Sequence, residues 1–184
     1  MSEHFIPTAQ GLVEYVKNCM HTPHVYLWAG NGEYLTDAEL DRLEAKYPSW
    51  YTEELSAVRR SLVDRGIRGW DCLGLILSYK WGDYHQGNTA LYKPEEFMGT
   101  TRLFKQEGLV KGEIDTLPER PGLVVYMHGH VGVYIGDGWV IECTRKNIKT
   151  WEYELIGGIH QTRLSDRPWT HWLEMPGIQY EGVR

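Results

Sequence analysis

A cysteine, a histidine and a carboxylate are the residues of this sequence whose types and spacing could carry covalent chemistry. Cys72 stands at the head of a segment, Asp71 to Lys80, in which Cys72, Leu75, Ile76 and Tyr79 recur at helical spacing. Asp71 is the expected N-cap. A thiol in the first turn of a helix feels the positive end of the backbone dipole, which favours the thiolate, whereas the adjacent Asp71 charge opposes it. Such a thiol becomes a strong nucleophile near neutral pH only with a base beside it. His130 is the candidate base, and Glu142 is the candidate that fixes its tautomer.

The pairing of His130 with Glu142 follows from a hairpin. Val131 to Ile135 and Trp139 to Cys143 flank Gly136-Asp137-Gly138. A turn on Asp137-Gly138 alone would pair Gly136 with Trp139 and mix polar and apolar side chains on each face. A three-residue loop with Gly138 left-handed would pair Ile135 with Trp139 and Gly132 with Glu142. One face then holds Val131, Val133, Ile135, Trp139, Ile141 and Cys143, all apolar. Because a slip of one residue exchanges the faces, the clean face selects the second register. His130 and Glu142 become diagonal neighbours on the opposite face.

Each residue also has a plainer reading. A cysteine on an apolar helix face serves as a small core residue, and a histidine at a strand end serves as a structural one. Cys19 and Cys143 lie on apolar stripes and read as core thiols. With three cysteines, at least one remains outside any intramolecular disulfide. His128-Gly129-His130 and the pair His21 and His24 invite a zinc reading, but no Cys-x-x-Cys or His-Glu-x-x-His spacing supports it. His128 is expected at a rim, as runner-up for the base. Trp169-Thr170-His171-Trp172 reads as a closing strand with buried tryptophan rather than a ligand platform.

The elements that must position these groups run from helices to strands. Leu12, Val13, Val16 and Met20 form a stripe behind Thr8 as N-cap. Thr36-Asp37-Ala38-Glu39 is a capping-box pattern opening a helix over 37–46, whose acidic residues read as a solvated face. Leu55, Val58 and Leu62 predict a helix over 52–64, stopped at Gly66, and Pro94 opens a further helix. Strands are expected at 123–127, 131–135 and 139–143, with weaker candidates at 148–155 and 171–173. This order predicts an α+β fold with N-terminal helices packed on a C-terminal antiparallel sheet.

The 184 residues suit a single domain, 1–184, with 42% hydrophobic and 24% charged residues, which excludes global disorder. A net charge of −6 supplies no basic surplus for phosphates, so nucleic acid is not expected as a partner. Eight tryptophans and twelve tyrosines against three phenylalanines suit wet grooves as well as cores. The start has no basic or apolar signal-peptide region, and no run reaches bilayer-spanning length. Synthesis in the cytoplasm, without an integral membrane segment, is expected; the oligomeric state is not legible.

Trp70-Asp71-Cys72-Leu73-Gly74-Leu75-Ile76 resembles the Asp-Cys-Ser-Gly motif of the NlpC-type cysteine peptidases. His130-Val131-Gly132-Val133-Tyr134-Ile135-Gly136 resembles that family's His-Val-Gly-Ile-Tyr-Leu-Gly segment. Tyr26-Leu27-Trp28-Ala29-Gly30 is similar to its Tyr-x-Trp-Gly-Gly segment, and Pro121-Gly122-Leu123-Val124-Val125 to its Pro-Gly-Asp-Leu-Val strand. The matches run in family order over roughly residues 10 to 150. The resemblance implies a papain-like fold and cleavage of amide bonds in peptidoglycan stem peptides. It implies Cys72 as nucleophile, His130 as base and Glu142 as third catalytic residue. Tyr26 and Asp71 match positions that help bind a stem peptide's free amine, and Trp28 lies in the same segment. No metal or organic cofactor is implied. A phage-released lysin, a tail-associated hydrolase or a wall-directed toxin would suit a chain without a signal peptide. A thiol amidase or acyltransferase of the same fold acting off the wall, and a wall- or carbohydrate-binding module without turnover, are the alternatives.

The chain departs from the family pattern in four places. Leu73 replaces a serine, Ala29 replaces a glycine, and Glu142 is a carboxylate where histidine or an amide is commoner. About 40 residues separate Trp28 from Cys72 where the family has a short loop. This helical insertion, at about 31–69, is expected to cap one side of the groove.

Overall fold

The computed structural model describes residues 5–83, 91–147 and 149–180. Helix α1, Ala9–Met20, starts where the Thr8 side chain accepts from the Gly11 N–H. Helix α4, Cys72–Lys80, starts where Asp71 accepts from the Gly74 N–H. Between them lie α2, Asp37–Lys46, capped by Thr36, and α3, Glu53–Arg60, capped by Thr52. Helix α3 stops short of the expected 52–64, although Leu62 beyond it still packs against the apolar cluster of Leu35, Leu40 and Leu43. The helix expected at Pro94 is a single 3-10 turn, Pro94–Glu96, followed by the short α5, Thr100–Phe104.

Two sheets form. Strands β1, His24–Tyr26, β2, Asn31–Tyr34, and β3, Arg68–Trp70, give a small sheet in the order β1-β3-β2. At three or four residues these strands are too short to display a period of two. The large antiparallel sheet contains β4, Lys111–Glu113, β5, Val124–Met127, β6, His130–Gly136, β7, Trp139–Lys146, β8, Tyr153–Arg163, and β9, His171–Leu173. Its order is β4-β9-β5-β6-β7-β8. The molecule is therefore α+β, with α1 and α4 packed on an antiparallel sheet. Of the weak strand candidates, 171–173 forms as expected. The one at 148–155 is displaced to Tyr153–Arg163, and residue 148 lies outside the described residues.

The hairpin combines both sequence readings. Asp137 and Gly138 make a two-residue turn with φ of 51° and 73°, both left-handed, and Gly136 pairs with Trp139. A bulge between Tyr134 and Gly136 then shifts the ladder, so that Val133 pairs with Ile141 and Tyr134 with Val140. The expected three-residue loop is thus corrected to a tight turn plus a bulge, and beyond the bulge the selected register holds.

Helix α4 is the centre of the core. Leu73 to Tyr79 are all buried, so the stripe expected from spacing is a helix buried all round. Its side chains meet Leu12 and Val16 of α1, Val131 and Val133 of β6, and Ile141 and Cys143 of β7. The opposite face of the sheet is buried too, by Leu123, Val125, Tyr134, Val140 and Trp169. A third cluster joins Val25 and Leu27 to Leu35, Leu40, Leu43 and Tyr51. The acidic face of α2 is clamped rather than merely solvated: Arg60 of α3 pairs with Asp37, Asp41 and Glu44. Among the described residues, no helix is long and apolar enough to cross a membrane.

Candidate active site

The first turn of α4 is fastened to the β1–β2 connection. Asp71 Oδ1 accepts from Gly74 N at 2.6 Å, and Oδ2 accepts from Ala29 N at 3.1 Å. The Asp71 N–H donates to Gly30 O at 2.9 Å. The approach is so close that a Cβ on Gly74 would lie 1.9 Å from Gly30 O, which is why this position takes glycine. Ala29 has φ of 60° and carries strain that a glycine there would avoid. Leu73, in the place of a serine, is 2% exposed in the core.

This fastening puts Cys72 on a groove of about 310 Å³ that Tyr26, Trp28, His130 and Glu142 also line. Burial, followed by the Asp71 charge, pushes the Cys72 thiol well above its ordinary range. Backbone hydrogen bonds from Val131, Leu73 and Cys72 itself pull the other way and do not prevail. A thiol shifted in this direction would need a base to take its proton before it could act as a nucleophile.

His130 meets Glu142 as the register requires: Nε2 lies 2.6 Å from Oε2. With the proton on Nε2 and held by the carboxylate, Nδ1 carries the lone pair able to accept a proton. The ring stacks on Trp169 at 5.5 Å and 15°. Glu142 has no side-chain exposure. Its Oε1 accepts from Arg167 Nε at 2.9 Å and from Thr162 Oγ1 at 3.1 Å. Burial opposes its ionisation, but His130 and Arg167 together hold the carboxyl below the ordinary glutamate range. Among the described residues, Arg167, Thr162 and Trp169 thus complete a buried support that the sequence reading missed. Arg167 and Trp169 follow β8, and Thr162 lies in the part of β8 beyond the expected strand, so no local pattern linked them to Glu142.

Asp71, expected as an amine binder, is 7% exposed and does not line the groove; its carboxylate is committed to backbone N–H groups. Burial lifts its pKa to about 7. Above that pH, the ionised carboxylate holds the neighbouring thiol protonated. Asp71→Asn keeps one cap acceptor at a cost of about 1 kcal/mol. It is expected to speed iodoacetamide alkylation of Cys72 about tenfold at pH 8, with little difference below pH 6, where Asp71 is already neutral. Intact mass reads the rate, and equal rates at pH 8 would contradict the electrostatic account. Cys19 and Cys143 are buried core thiols, the latter donating to Trp70 O at 3.1 Å.

Tyr26 is 8% exposed on the groove wall. Trp28 stacks face to face on Trp50 at 3.6 Å and 7°, so a residue of the 31–69 segment forms part of the same wall. Tyr51 of that segment donates to Trp28 O at 2.7 Å. His128 is exposed on the rim. Among the described residues, no group of three or more His, Cys, Asp or Glu side chains is arranged to hold a metal ion. Set against family models, curated proteins and solved structures, the chain matches none of them.

Proposed function

We propose that the protein is a papain-like cysteine peptidase of the NlpC type, hydrolysing amide bonds in peptidoglycan stem peptides. The observation that carries the reading is the His130–Glu142 bond of 2.6 Å on the groove where Cys72 heads a buried helix. A binding module has no need of a buried, charge-assisted imidazole–carboxylate pair beside a thiol. The four motif resemblances add the substrate class.

The reaction follows from the groups present. His130 Nδ1 takes the Cys72 proton as sulfur attacks the scissile carbonyl carbon. Glu142 stabilises the imidazolium that results, and Arg167 keeps Glu142 ionised throughout. The Cys72 N–H, at the head of α4, would donate to the developing oxyanion. The imidazolium then protonates the leaving amine. Water, deprotonated by His130, releases the acid product and the thiol. The Trp28–Trp50 wall narrows one side of the groove and restricts which side chains enter.

Purified sacculi are expected to release new amino groups on incubation with the protein, and mass spectrometry of the fragments should map one stem-peptide bond. Pretreatment with iodoacetamide should stop the release, and a chelator should not. Release that survives alkylation would sink the cysteine mechanism. Cleavage of other amides with intact sacculi would favour the off-wall amidase or acyltransferase.

A further inference from the structure

The groove carries positive charge that its own wall does not neutralise. Arg145 and Lys146, at the end of β7, both line it, and neither forms an ion pair among the described residues. Glu142, the one carboxylate among the described lining residues, is already bonded to His130 and Arg167. Glu154, on the facing strand, gives Arg145 Nε only its backbone oxygen, at 2.8 Å, while its carboxylate accepts from Asn147. Arg145 lies 5.6 Å from the Tyr153 ring centre, and Lys146 Nζ lies 5.3 Å from it. Behind the wall, Arg59 is 2% exposed and donates to the Tyr26 and Leu55 carbonyls, with Nε unpartnered. Unpaired cations are gathered here in a chain whose net charge is −6.

We propose that Arg145 and Lys146 form a carboxylate-binding subsite that selects substrates carrying a free carboxylate near the scissile bond. The proposal deepens the hydrolase reading and rests on it for the position of that bond. A carboxylate entering beside Tyr153 exchanges water for two charge-assisted partners, an attraction that salt screens at this open edge of the groove. Held there, it would orient the peptide along the groove, with the scissile carbonyl on the Cys72 side. Tyr153, 64% exposed, supplies the ring face against which the cations are held.

The test uses the full-length Cys72→Ala protein and calorimetry. Its ligands are the tripeptide L-alanyl-γ-D-glutamyl-L-lysine and the same peptide with both carboxylates amidated. The acid form is expected to bind at least about tenfold more tightly, the order of one charged hydrogen bond. Raised salt should erode that preference, and Arg145→Gln/Lys146→Gln should abolish it without moving the melting temperature. Equal binding of the two forms, binding of neither, or a preference that survives the double substitution would overturn the subsite. Turnover by the unsubstituted protein separates the two readings. Cleavage of acid and amide peptides at equal efficiency removes the subsite and leaves the hydrolase. Preferential binding of the acid without cleavage of either, or of sacculi, leaves the subsite and removes the hydrolase.

Discussion

Replacing Cys72 with alanine is expected to lower the rate of the proposed amide hydrolysis by about ten-thousandfold or more, because in that mechanism the acyl intermediate forms on its sulfur. The fold should be indifferent to the change. Cys72 is partly exposed on the groove, and its backbone is held by the contacts among Asp71, Gly74 and Gly30. The melting temperature should therefore stay within a few degrees while turnover vanishes. Serine at the same position should be nearly as inactive, since His130 would then have to activate a much weaker acid. A Cys72→Ala protein that still releases amines from sacculi at more than a few per cent of the normal rate would overturn the mechanism.

The second large effect concerns Glu142, to which the proposed mechanism gives a catalytic part and the fold a buried ion pair. Its carboxylate lies between His130 and Arg167 with no side-chain exposure, and the Arg167 side chain is 1% exposed. Glu142→Leu leaves the Arg167 guanidinium buried without a counter-charge, and a loss of about 3–5 kcal/mol in unfolding free energy is expected. Adding Arg167→Met should restore most of that loss, because two well-packed apolar side chains can replace a buried pair. Activity should not return: His130 would lack the acceptor that fixes its tautomer, and a loss of about 10⁴-fold is the scale for that defect. Recovery of stability without activity is thus the expected signature, read by denaturant unfolding and sacculus digestion in parallel. Recovery of both would reduce Glu142 to a packing residue.

Acid titration gives the same pair an independent readout. The carboxyl of Glu142 is held below its usual range in the folded state, so its contribution to stability is present above the unfolded pKa of about 4.3. That contribution is lost as pH falls through the depressed folded value. The native chain should therefore lose stability on acidification below about pH 4, and the Glu142→Leu/Arg167→Met protein should lose less.

What could be read from residues alone was whatever has a short period or a local cap. Thr8, Thr36, Thr52 and Asp71 each accept from a backbone N–H at a helix start, and these helices begin where the caps place them. His130 and Glu142 could be paired because an apolar strand face tolerates no slip. The bulge near Ile135 was hidden, because an added residue next to a glycine-rich turn leaves the alternation beyond it unchanged. Strand β8 was misplaced because its first residues, Tyr153 to Ile156, are largely exposed and Gly157-Gly158 interrupts any pattern. Arg167 was out of reach for another reason: its bond to Glu142 spans 25 positions and depends on how β8 turns back. That Asp71 lies behind the groove rather than on its lining was out of reach, because the distance between a cap and a groove is three-dimensional information.

Strand β9 lies between β4 and β5 in space, although it follows β8 in the chain. Edge strand β4 therefore has no partner in the sheet until β9 has been made. Arg167 and Trp169, which support Glu142 and His130, stand only a few residues ahead of it. During translation, a chain that already displays Cys72, His130 and Glu142 would still lack their support. The hairpin that carries the imidazole–carboxylate pair is thus made before the residues that brace it.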